Sequence, residues 1–441
     1  MTLLNLEHQL FSSVSDLKKE IVEISTALNN KPDSAFPEWI DIHSKSIFGN
    51  NKFIVCGSTS RAEIKVLAEN SEVLAIVDDR LSKVQKVLFG IPVIDTEDWI
   101  SKIHADRSII SCILVSTSPA TNHFMRQCVQ YNFNYLSPLQ YLKLLKIQNI
   151  PTAGLAGRFF NYGYNFYENA LEHIEELLNL ESVFSDEYSK ISFLSMLLYR
   201  LTLNPTWLDR VVVGHGVDYG YNSYCMNKTF FKFSDDEIYV DGGAFTGDTI
   251  ERFIRSVDGK FKYIFSFEPS SFNNDEIRKR LRVLQDEYLK PLKSSISLVE
   301  KGLWSSVTEL SFNNNGSLED DNVIVTPLAA HFVDSGMVNH IYDDNSASNS
   351  LNKLPVTTLD EATGGLATFI KLEIEGSELH ALNGAKETIR KNRPKMAISI
   401  YHKPEDLIEL INFVIETGHG YKLGFRQHSP FVPDATVLYC S

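Results

Sequence analysis

The sequence predicts an α/β protein in which two parallel β-sheets follow one another along the chain. Short apolar runs alternate with amphipathic helical patterns, a glycine-containing turn follows the first apolar run of each predicted sheet, and acidic residues follow the second. At roughly 100–200 residues per domain, the 441 residues correspond to two or three domains. The 43% hydrophobic and 22% charged residues are typical of globular proteins, so composition excludes global disorder.

Charge and cysteine content narrow the functional classes. Lys and Arg total 42 against 56 Asp and Glu, and the resulting net charge of -14 excludes a broad basic surface for nucleic acid. The first residues lack the pattern of a signal peptide, and no apolar run approaches the roughly 18 residues of a membrane span. We therefore expect a soluble, cytoplasmic protein with neither a nucleic-acid partner nor a membrane span.

The scattered cysteines form no CxxC pair, which favours a reducing compartment and no zinc site: Cys56, Cys112, Cys128, Cys225 and Cys440.

The segment 1–45 predicts one amphipathic helix and a linker. Its apolar residues are spaced alternately by four and three, as in a heptad seam: Leu10, Val14, Leu17, Ile21, Ile24 and Leu28. The helix either lies on its own domain or pairs with a second copy of the chain in a homodimer. We favour the first role, because about three heptads make a short coiled coil.

The segment 46–150 predicts a small Rossmann-like α/β domain. Its apolar strands alternate with helical patterns and occupy 53–56, 73–77 and 109–115. Gly57 follows the first strand and Asp78-Asp79 the second, where such folds hold a nucleotide. The three-glycine fingerprint is absent, so a module without a cofactor is at least as well supported. The segment is loosely similar to Rossmann-like domains found with sugar-modifying enzymes, and residues 151–235 then predict a helical connector.

The segment 236–441 contains the residues that could bind a ligand or catalyse a reaction. A buried strand runs into the turn Asp-Gly-Gly-Ala-Phe-Thr-Gly-Asp-Thr at 241–249, and a helix follows. Glycine permits positive φ and close approach of the backbone, and free amides at a helix start suit an anionic group such as a carboxylate. No Gly-Lys-Ser/Thr follows, so this turn is not a phosphate-binding P-loop. Glu268-Pro269 end the next strand, where an acid can accept hydrogen bonds from ribose hydroxyls.

Charged residues also end two later strands. Lys371, Glu373 and Glu375 alternate with apolar residues, so we expect the three side chains to share one face. Another buried strand ends in His402. The last two apolar runs are expected to close the sheet as a hairpin-like pair: 421–426 and 436–440.

Five motifs occur in order in this segment: Asp-Gly-Gly-Ala-Phe-Thr-Gly-Asp-Thr, Phe-Glu-Pro, Gly-Leu-Trp-Ser, Thr-Thr-Leu-Asp and Ile-Lys-Leu-Glu-Ile-Glu-Gly-Ser-Glu. With them, residues 236–441 resemble the FkbM-type family of S-adenosylmethionine-dependent methyltransferases. One departure is Glu373, because the family more often has Asp there and the longer side chain moves the carboxylate by one methylene.

The resemblance implies a class I methyltransferase fold, a Rossmann-like seven-stranded sheet whose last strand is antiparallel. It also implies O-methylation of a hydroxyl on a small-molecule or glycan acceptor, as in polysaccharide or secondary-metabolite biosynthesis. By the same resemblance, the turn holds the methionine end of S-adenosylmethionine, the acid after the second strand binds the ribose, and a Trp-Ser pair lies at the adenine. The residues implied are Asp241, Gly242, Gly243, Phe245, Thr246, Gly247, Asp248, Thr249, Glu268, Pro269, Trp304 and Ser305.

Methylation of an alcohol benefits from a group that removes its proton. His402 is the leading candidate, because imidazole titrates near neutrality, and its structural alternative is a cap for the following helix. Glu373 and Glu375 compete for the role. The same two carboxylates could instead hold a divalent metal with the substrate oxygens, although no motif supports a metal site and none is predicted.

Other functional classes stay open. One is an NAD- or nucleotide-sugar-dependent enzyme that acts through the first Rossmann-like domain, and its missing glycines count against it. Another is a non-catalytic scaffold with a retained methyltransferase fold, against which the intact turn at 241–249 counts. Binding of S-adenosylhomocysteine would separate both from a methyltransferase.

Overall fold

The computed structural model describes residues 13–30, 48, 51–115, 118–150, 158–212, 225–288, 295–313, 340–342, 352–433 and 435–441. The chain divides into two compact units. Unit 1 comprises Met1–Leu178, Ile191–Val212 and Ser429–Asp434, and unit 2 comprises Asn179–Lys190, Val213–His428 and Ala435–Ser441. Leu10 of the predicted heptad seam and the linker at 31–45 lie outside the described residues.

Unit 1 contains a six-stranded sheet. Its strands are β1 (Lys52–Cys56), β2 (Glu72–Val77), β3 (Val87–Leu88), β4 (Ile91–Ile94), β5 (Ile110–Ile113) and β6 (Tyr135–Leu136). The spatial order is β3-β4-β2-β1-β5-β6. Every neighbouring pair is parallel except β3 and β4, which form a short antiparallel edge. The predicted Rossmann-like arrangement of strands is therefore present in this unit.

Unit 2 contains a seven-stranded sheet. Its strands are β7 (Ile238–Gly242), β8 (Tyr263–Phe267), β9 (Ile296–Val299), β14 (Phe369–Leu372), β15 (Lys395–Ser399), β16 (Leu423–Gln427) and β17 (Thr436–Cys440). The spatial order is β16-β17-β15-β14-β7-β8-β9. Strand β17 runs antiparallel to both neighbours and the other pairs are parallel. This confirms the predicted class I sheet with an antiparallel last strand.

A smaller four-stranded sheet in unit 2 was not predicted. Its strands are β10 (Gly302–Leu303), β11 (Thr308–Asn313), β12 (His340–Tyr342) and β13 (Asn352–Thr357), in the order β10-β13-β11-β12. The chain changes sheets between 299 and 302, because β9 pairs in the large sheet and β10 in the small one. Local patterning cannot reveal such a switch of partner.

Helices flank the strands. They are α1 (Val14–Asn30), α2 (Arg61–Asn70), α3 (Leu81–Val84), α4 (Thr96–Ala105), α5 (Ser118–Tyr131), α6 (Pro138–Ile147), α7 (Arg158–Glu172), α8 (Ile174–Leu180), α9 (Glu187–Thr202), α10 (Thr206–Asp209), α11 (Asp248–Ser256), α12 (Ser271–Tyr288), α13 (Leu359–Thr363), α14 (Glu378–Asn383), α15 (Lys386–Asn392) and α16 (Asp406–Thr417). In the described part of the chain, none of them is both long and apolar enough to cross a membrane.

Burial explains the central strands of the large sheet. All residues of β7 and β14 are buried, because helices cover both faces of a parallel sheet. On one face Tyr239, Phe253 and Phe369 pack in a single aromatic cluster. The two strands are in register so that Asp241 lies opposite Lys371, which places two charged residues in an otherwise apolar layer.

Candidate active site

The turn between β7 and α11 has a backbone conformation that requires glycine. Gly243, Phe245 and Gly247 all have positive φ, at 76°, 46° and 81°. A Cβ at Gly243 would lie 1.9 Å from the carbonyl oxygen of Glu373, so no other residue fits without movement of the backbone. The turn is therefore pressed against the residues that follow β14.

Main-chain hydrogen bonds hold this turn and leave the helix start open. The amides of Gly243 and Ala244 both donate to the carbonyl of Phe267 at 3.1 Å. Gly247 occupies the N-cap position of α11, so no side chain caps the first turn of this helix. Uncapped amides at a helix N-terminus favour an anionic group.

A buried ion pair joins the carboxyl ends of β7 and β14. Nζ of Lys371 lies 3.2 Å from Oδ1 of Asp241, and both side chains are almost fully buried. Oδ2 of Asp241 accepts a 2.5 Å hydrogen bond from the hydroxyl of Thr249. Burial raises the pKa of the Asp241 carboxyl, and Lys371 and Thr249 oppose that rise.

Lys371 also binds the turn itself. Its ammonium donates to the carbonyl oxygens of Gly242 at 3.1 Å and Gly243 at 2.7 Å, and lies 3.7 Å from Oε2 of Glu373. Burial alone would lower the pKa of this lysine, but Asp241 and Glu373 raise it above its usual value. The lysine is thus a fixed cation beneath the turn.

Glu268 follows β8 and is buried against the same turn. Its Oε2 accepts the amide of Phe245 at 2.9 Å, and its Oε1 accepts the amide of Ser270 at 2.9 Å and the side-chain amide of Asn273 at 3.2 Å. Burial raises the pKa of this carboxyl, while the three hydrogen bonds favour its charged form. Pro269 follows directly and leads the chain towards α12.

Two further predicted residues are engaged by arginines of neighbouring helices. Asp248 forms a 2.9 Å ion pair with Arg252 one turn later in α11. The carbonyl oxygen of Thr246 accepts Nε of Arg280 at 3.0 Å, and Arg280 also pairs with Glu251. The contact of Arg280 ties the turn to α12, whereas the pair of Asp248 and Arg252 lies within α11.

Trp304 and Ser305 occupy different surroundings. Trp304 is buried in a small cluster with Leu310 and Leu354, and its ring stacks on His380 with centroids 3.6 Å apart. Ser305 is exposed. The assignment of both residues to an adenine site stays a prediction.

The predicted catalytic residues meet at the ends of β14 and β15. Oε1 of Glu373 accepts the hydroxyl of Tyr401 at 2.8 Å. Strand β14 ends at Leu372, so the alternation that predicts one shared face does not continue to Glu375. Glu375 instead lies beside His402, whose Nε2 is 3.8 Å from its Oε2.

His402 is completely buried and forms an ion pair with Glu378. Its Nδ1 lies 2.9 Å from Oε1 of Glu378, which is also buried. Burial disfavours both charges, but the attraction between them prevails: the pKa of His402 rises to about 10 and that of Glu378 falls below its usual value. Burial and the nearby Glu378 raise the pKa of Asp406 to about 7, against the opposing effect of His402.

No metal site emerges at these carboxylates. Among the residues with described positions, no three or more His, Cys, Asp or Glu side chains are arranged to hold a metal ion. The sequence did not single out Glu378 or Asp406, and treated Lys371 only as part of a charged strand face. The last residue of the motif Ile-Lys-Leu-Glu-Ile-Glu-Gly-Ser-Glu was the available signal for Glu378, but an acid at the start of a helix usually belongs to its cap.

Comparisons with known proteins identify the kind of domain that contains these residues. The model of the methyltransferase FkbM domain matches residues 241–423. A crystal structure of a methyltransferase FkbM from Methylobacillus flagellatus is 22% identical, covers 97% of this chain and 100% of its own, and has a TM-score of 0.69, which shows a shared fold. No curated protein sequence matches the chain.

Two rRNA methylase structures are more distant. The one from Streptococcus thermophilus is 14% identical, covers 47% of this chain and 86% of its own, and has a TM-score of 0.26. The putative one from Clostridium thermocellum is 14% identical, covers 48% and 88%, and has a TM-score of 0.27. Likeness at this level supports no inference, whereas the domain match, in agreement with the motifs and the sheet order, identifies residues 241–423 as a methyltransferase domain of the FkbM family.

Proposed function

We propose that this protein is an S-adenosylmethionine-dependent O-methyltransferase whose acceptor is a hydroxyl of a sugar, glycan or secondary metabolite. The observation that carries the proposal is a pair of buried carboxylates, Asp241 and Glu268, on either side of a glycine-rich turn in an FkbM methyltransferase domain. They lie at the carboxyl ends of neighbouring parallel strands, where open α/β sheets bind ligands.

The donor and acceptor groups of this site fit S-adenosylmethionine. The open first turn of α11 suits the cofactor carboxylate, and the buried Asp241, held by Thr249 and Lys371, fixes the turn in front of it. A carboxylate has about four acceptor positions, and the chain uses three of those of Glu268, which leaves Oε2 with capacity for a ribose hydroxyl. The cofactor supplies an activated methyl group on a sulfonium.

The chain's own residues then have two tasks. They must hold the acceptor hydroxyl in line with the methyl and accept its proton. We assign proton acceptance to Glu373, because it is partly exposed and is held by Tyr401 next to the turn. His402 is less suited, since a pKa of about 10 means that it already carries a proton at neutral pH. Glu375 is the remaining carboxylate among the predicted catalytic residues.

Calorimetric titration with S-adenosylhomocysteine tests the cofactor assignment. We expect the intact protein to bind it, and Glu268→Gln to bind about 10–100-fold more weakly, because one charge-assisted hydrogen bond is lost. Asp78→Asn is the matched control, since Asp78 is also an acid after a second parallel strand but lies in unit 1. Absence of binding by the intact protein would refute the proposal.

Transfer of labelled methyl to a panel of neutral sugars, polyols and phenols tests the acceptor class. We expect an alkali-stable ether product, and a loss of kcat in Glu373→Gln with little change in S-adenosylhomocysteine affinity. A carboxylic acid and an amine of similar size are tested beside the panel, and methyl transfer to either of them without transfer to any hydroxyl compound would show that the acceptor is not a hydroxyl.

A further inference from the structure

The turn that follows β14 is held in an unfavourable conformation. Glu375 has a φ of 57° and Gly376 a φ of 89°. A non-glycine residue in this region costs free energy, and it persists only where the surrounding structure fixes it. The contacts that hold Glu375 in this conformation therefore indicate its role in the protein.

Glu378 contacts this turn through its carboxylate. Its Oε1 accepts the amide of Ile374 at 2.8 Å, which ties the start of the turn to the start of α14. The same oxygen lies 2.9 Å from Nδ1 of His402. A single buried carboxylate thus connects the turn after β14 to the residues that follow β15.

His402 extends this connection to the surface. Its Nδ1 faces Glu378 and its Nε2 lies 3.8 Å from Oε2 of Glu375. The side chains of His402 and Glu378 are 0% and 1% exposed, whereas that of Glu375 is 41% exposed. The three residues form a row of alternating charge from the interior to the surface.

We propose that Glu378 is a positioning residue for the acceptor site, which fixes the turn through Ile374 and, through the His402 imidazolium, presents Glu375 to the acceptor as an ionised hydrogen-bond acceptor. This inference rests on the proposed methyl transfer to a hydroxyl. Neither His402 nor Glu378 touches the acceptor, because both are buried.

The charges around His402 support its cationic state. Glu375 and Glu378 contact it directly, and Asp406 is a further buried acid that interacts with it and accepts the amide of Lys403 at 2.8 Å. These groups come from the turn after β14, from α14 and from the start of α16. Each favours a protonated imidazole over a neutral one.

The arrangement also indicates an acceptor class. A partly exposed carboxylate that stays ionised accepts hydrogen bonds from neutral hydroxyl groups and repels carboxylates and phosphates. Glu373 adds a second partly exposed carboxylate after the same strand. We therefore expect neutral polyols to be preferred over anionic acceptors of the same size.

The test is nuclear magnetic resonance of isotopically labelled histidine in the full chain, with the His402 signal assigned by its loss in His402→Gln. We expect both ring nitrogens of His402 to carry protons from pH 6 to pH 9 in the unmodified protein. In Glu378→Gln the amide can still be accepted but the charge is gone, so His402 should be neutral at pH 7. Glu375→Gln should move the same signal less, and its partly exposed side chain makes misfolding a minor concern.

Asp360→Asn is the matched control, because Asp360 is a carboxylate of unit 2 that likewise accepts main-chain amides, those of Glu387 and Thr388. It should lower the melting temperature without moving the His402 signal. A neutral His402 in the unmodified protein at pH 7, or a signal unmoved by either Glu378→Gln or Glu375→Gln, would overturn the inference.

S-adenosylhomocysteine titration of the same variants separates this inference from the proposed function. We expect Glu378→Gln to keep its affinity within about twofold while the KM for a neutral hydroxylated acceptor rises about tenfold. A parallel loss of cofactor affinity would indicate a general structural role instead. Failure of the unmodified protein to bind S-adenosylhomocysteine would refute the methyltransferase proposal, whatever the His402 signal shows.

Discussion

The two large sheets share a parallel arrangement but differ at the carboxyl ends of their strands. In unit 1, β1 ends in buried apolar residues and a single glycine, Gly57. In unit 2, β7 ends in Asp241 followed by two glycines, and the aspartate pairs with Lys371 of the neighbouring strand. Buried charges at strand ends are expensive unless they are paired, so their presence in only one of these two positions supports the proposal that this sheet holds the active site.

The acids after the second strands differ in the same way. Asp78 accepts the amides of Arg80 and Leu81 and the hydroxyl of Ser58, and Asp79 accepts both donors of Thr96. Both therefore serve the turns of their own sheet. Glu268 likewise accepts donors from its own loop and from the turn after the first strand, but it is buried, whereas Asp78 is partly exposed and Asp79 is exposed. A shared topology consequently predicts where a ligand could bind, and the burial of charged side chains at that place distinguishes the two sheets.

The largest difference between the two sheets is expected when one member of the buried ion pair of Asp241 and Lys371 is removed. Lys371→Met leaves Asp241 buried without its cation, and we expect a loss of about 3–5 kcal/mol in the free energy of unfolding. Asp78→Asn in unit 1 should cost about 1 kcal/mol or less, because Asp78 is partly exposed. Urea unfolding of the two variants measures the difference, and equal losses would contradict it.

Alanine substitution of the glycine after each first strand gives the next largest effect. At Gly243 a Cβ would lie 1.9 Å from a main-chain carbonyl oxygen, whereas at Gly57 it would lie 2.0 Å from a methyl group of Val115. Both glycines have positive φ, but a side-chain methyl can move more easily than the backbone. We expect about 3 kcal/mol for Gly243→Ala and about 1–2 kcal/mol for Gly57→Ala from thermal unfolding. A larger cost at Gly57 would refute this reasoning.

The ion pair of His402 and Glu378 in unit 2 predicts that the free energy of unfolding depends on pH. The folded protein holds the His402 proton up to a pKa of about 10, while the unfolded chain releases it near pH 6.5. The stabilisation is therefore complete below about pH 6.5 and declines as pH rises towards 10, by up to about 1.4 kcal/mol per pH unit. The stability difference between the unmodified protein and His402→Gln/Glu378→Gln should shrink from pH 7 to pH 9. A constant difference would show that His402 is neutral.

The smallest effect concerns the acids of unit 1. Asp79→Ala removes the acceptor for the amide and hydroxyl of Thr96, at 2.8 and 2.9 Å. We expect a loss of about 1 kcal/mol in stability and no change in S-adenosylhomocysteine affinity. A change in affinity would mean that the first sheet takes part in cofactor binding, and would weaken the distinction drawn between the two sheets.

Patterns that are local in sequence predicted most of the fold. The strand runs and the glycine-rich turn predicted parallel α/β sheets, and the resemblance to the FkbM-type family implied a seven-stranded sheet with an antiparallel last strand, which the structure confirms. The four-stranded sheet was not predicted, because local patterns do not show which strands pair with each other. The candidate site was found only in part, because the ion pair of Glu378 and His402 joins residues from two separate turns. Before the strand order is known, an acid at a helix start is indistinguishable from an ordinary cap.

The position of β17 has a consequence for the way the large sheet is completed during synthesis. Strand β17 lies between β15 and β16 although it follows both in the chain, and β16 pairs within this sheet only with β17. While the ribosome is still producing residues before 436, β15 presents an unpaired edge and β16 has no ladder to join. We therefore expect nascent chains stopped before β17 to aggregate or recruit chaperones, and release of the final strand to be the event that seals the sheet.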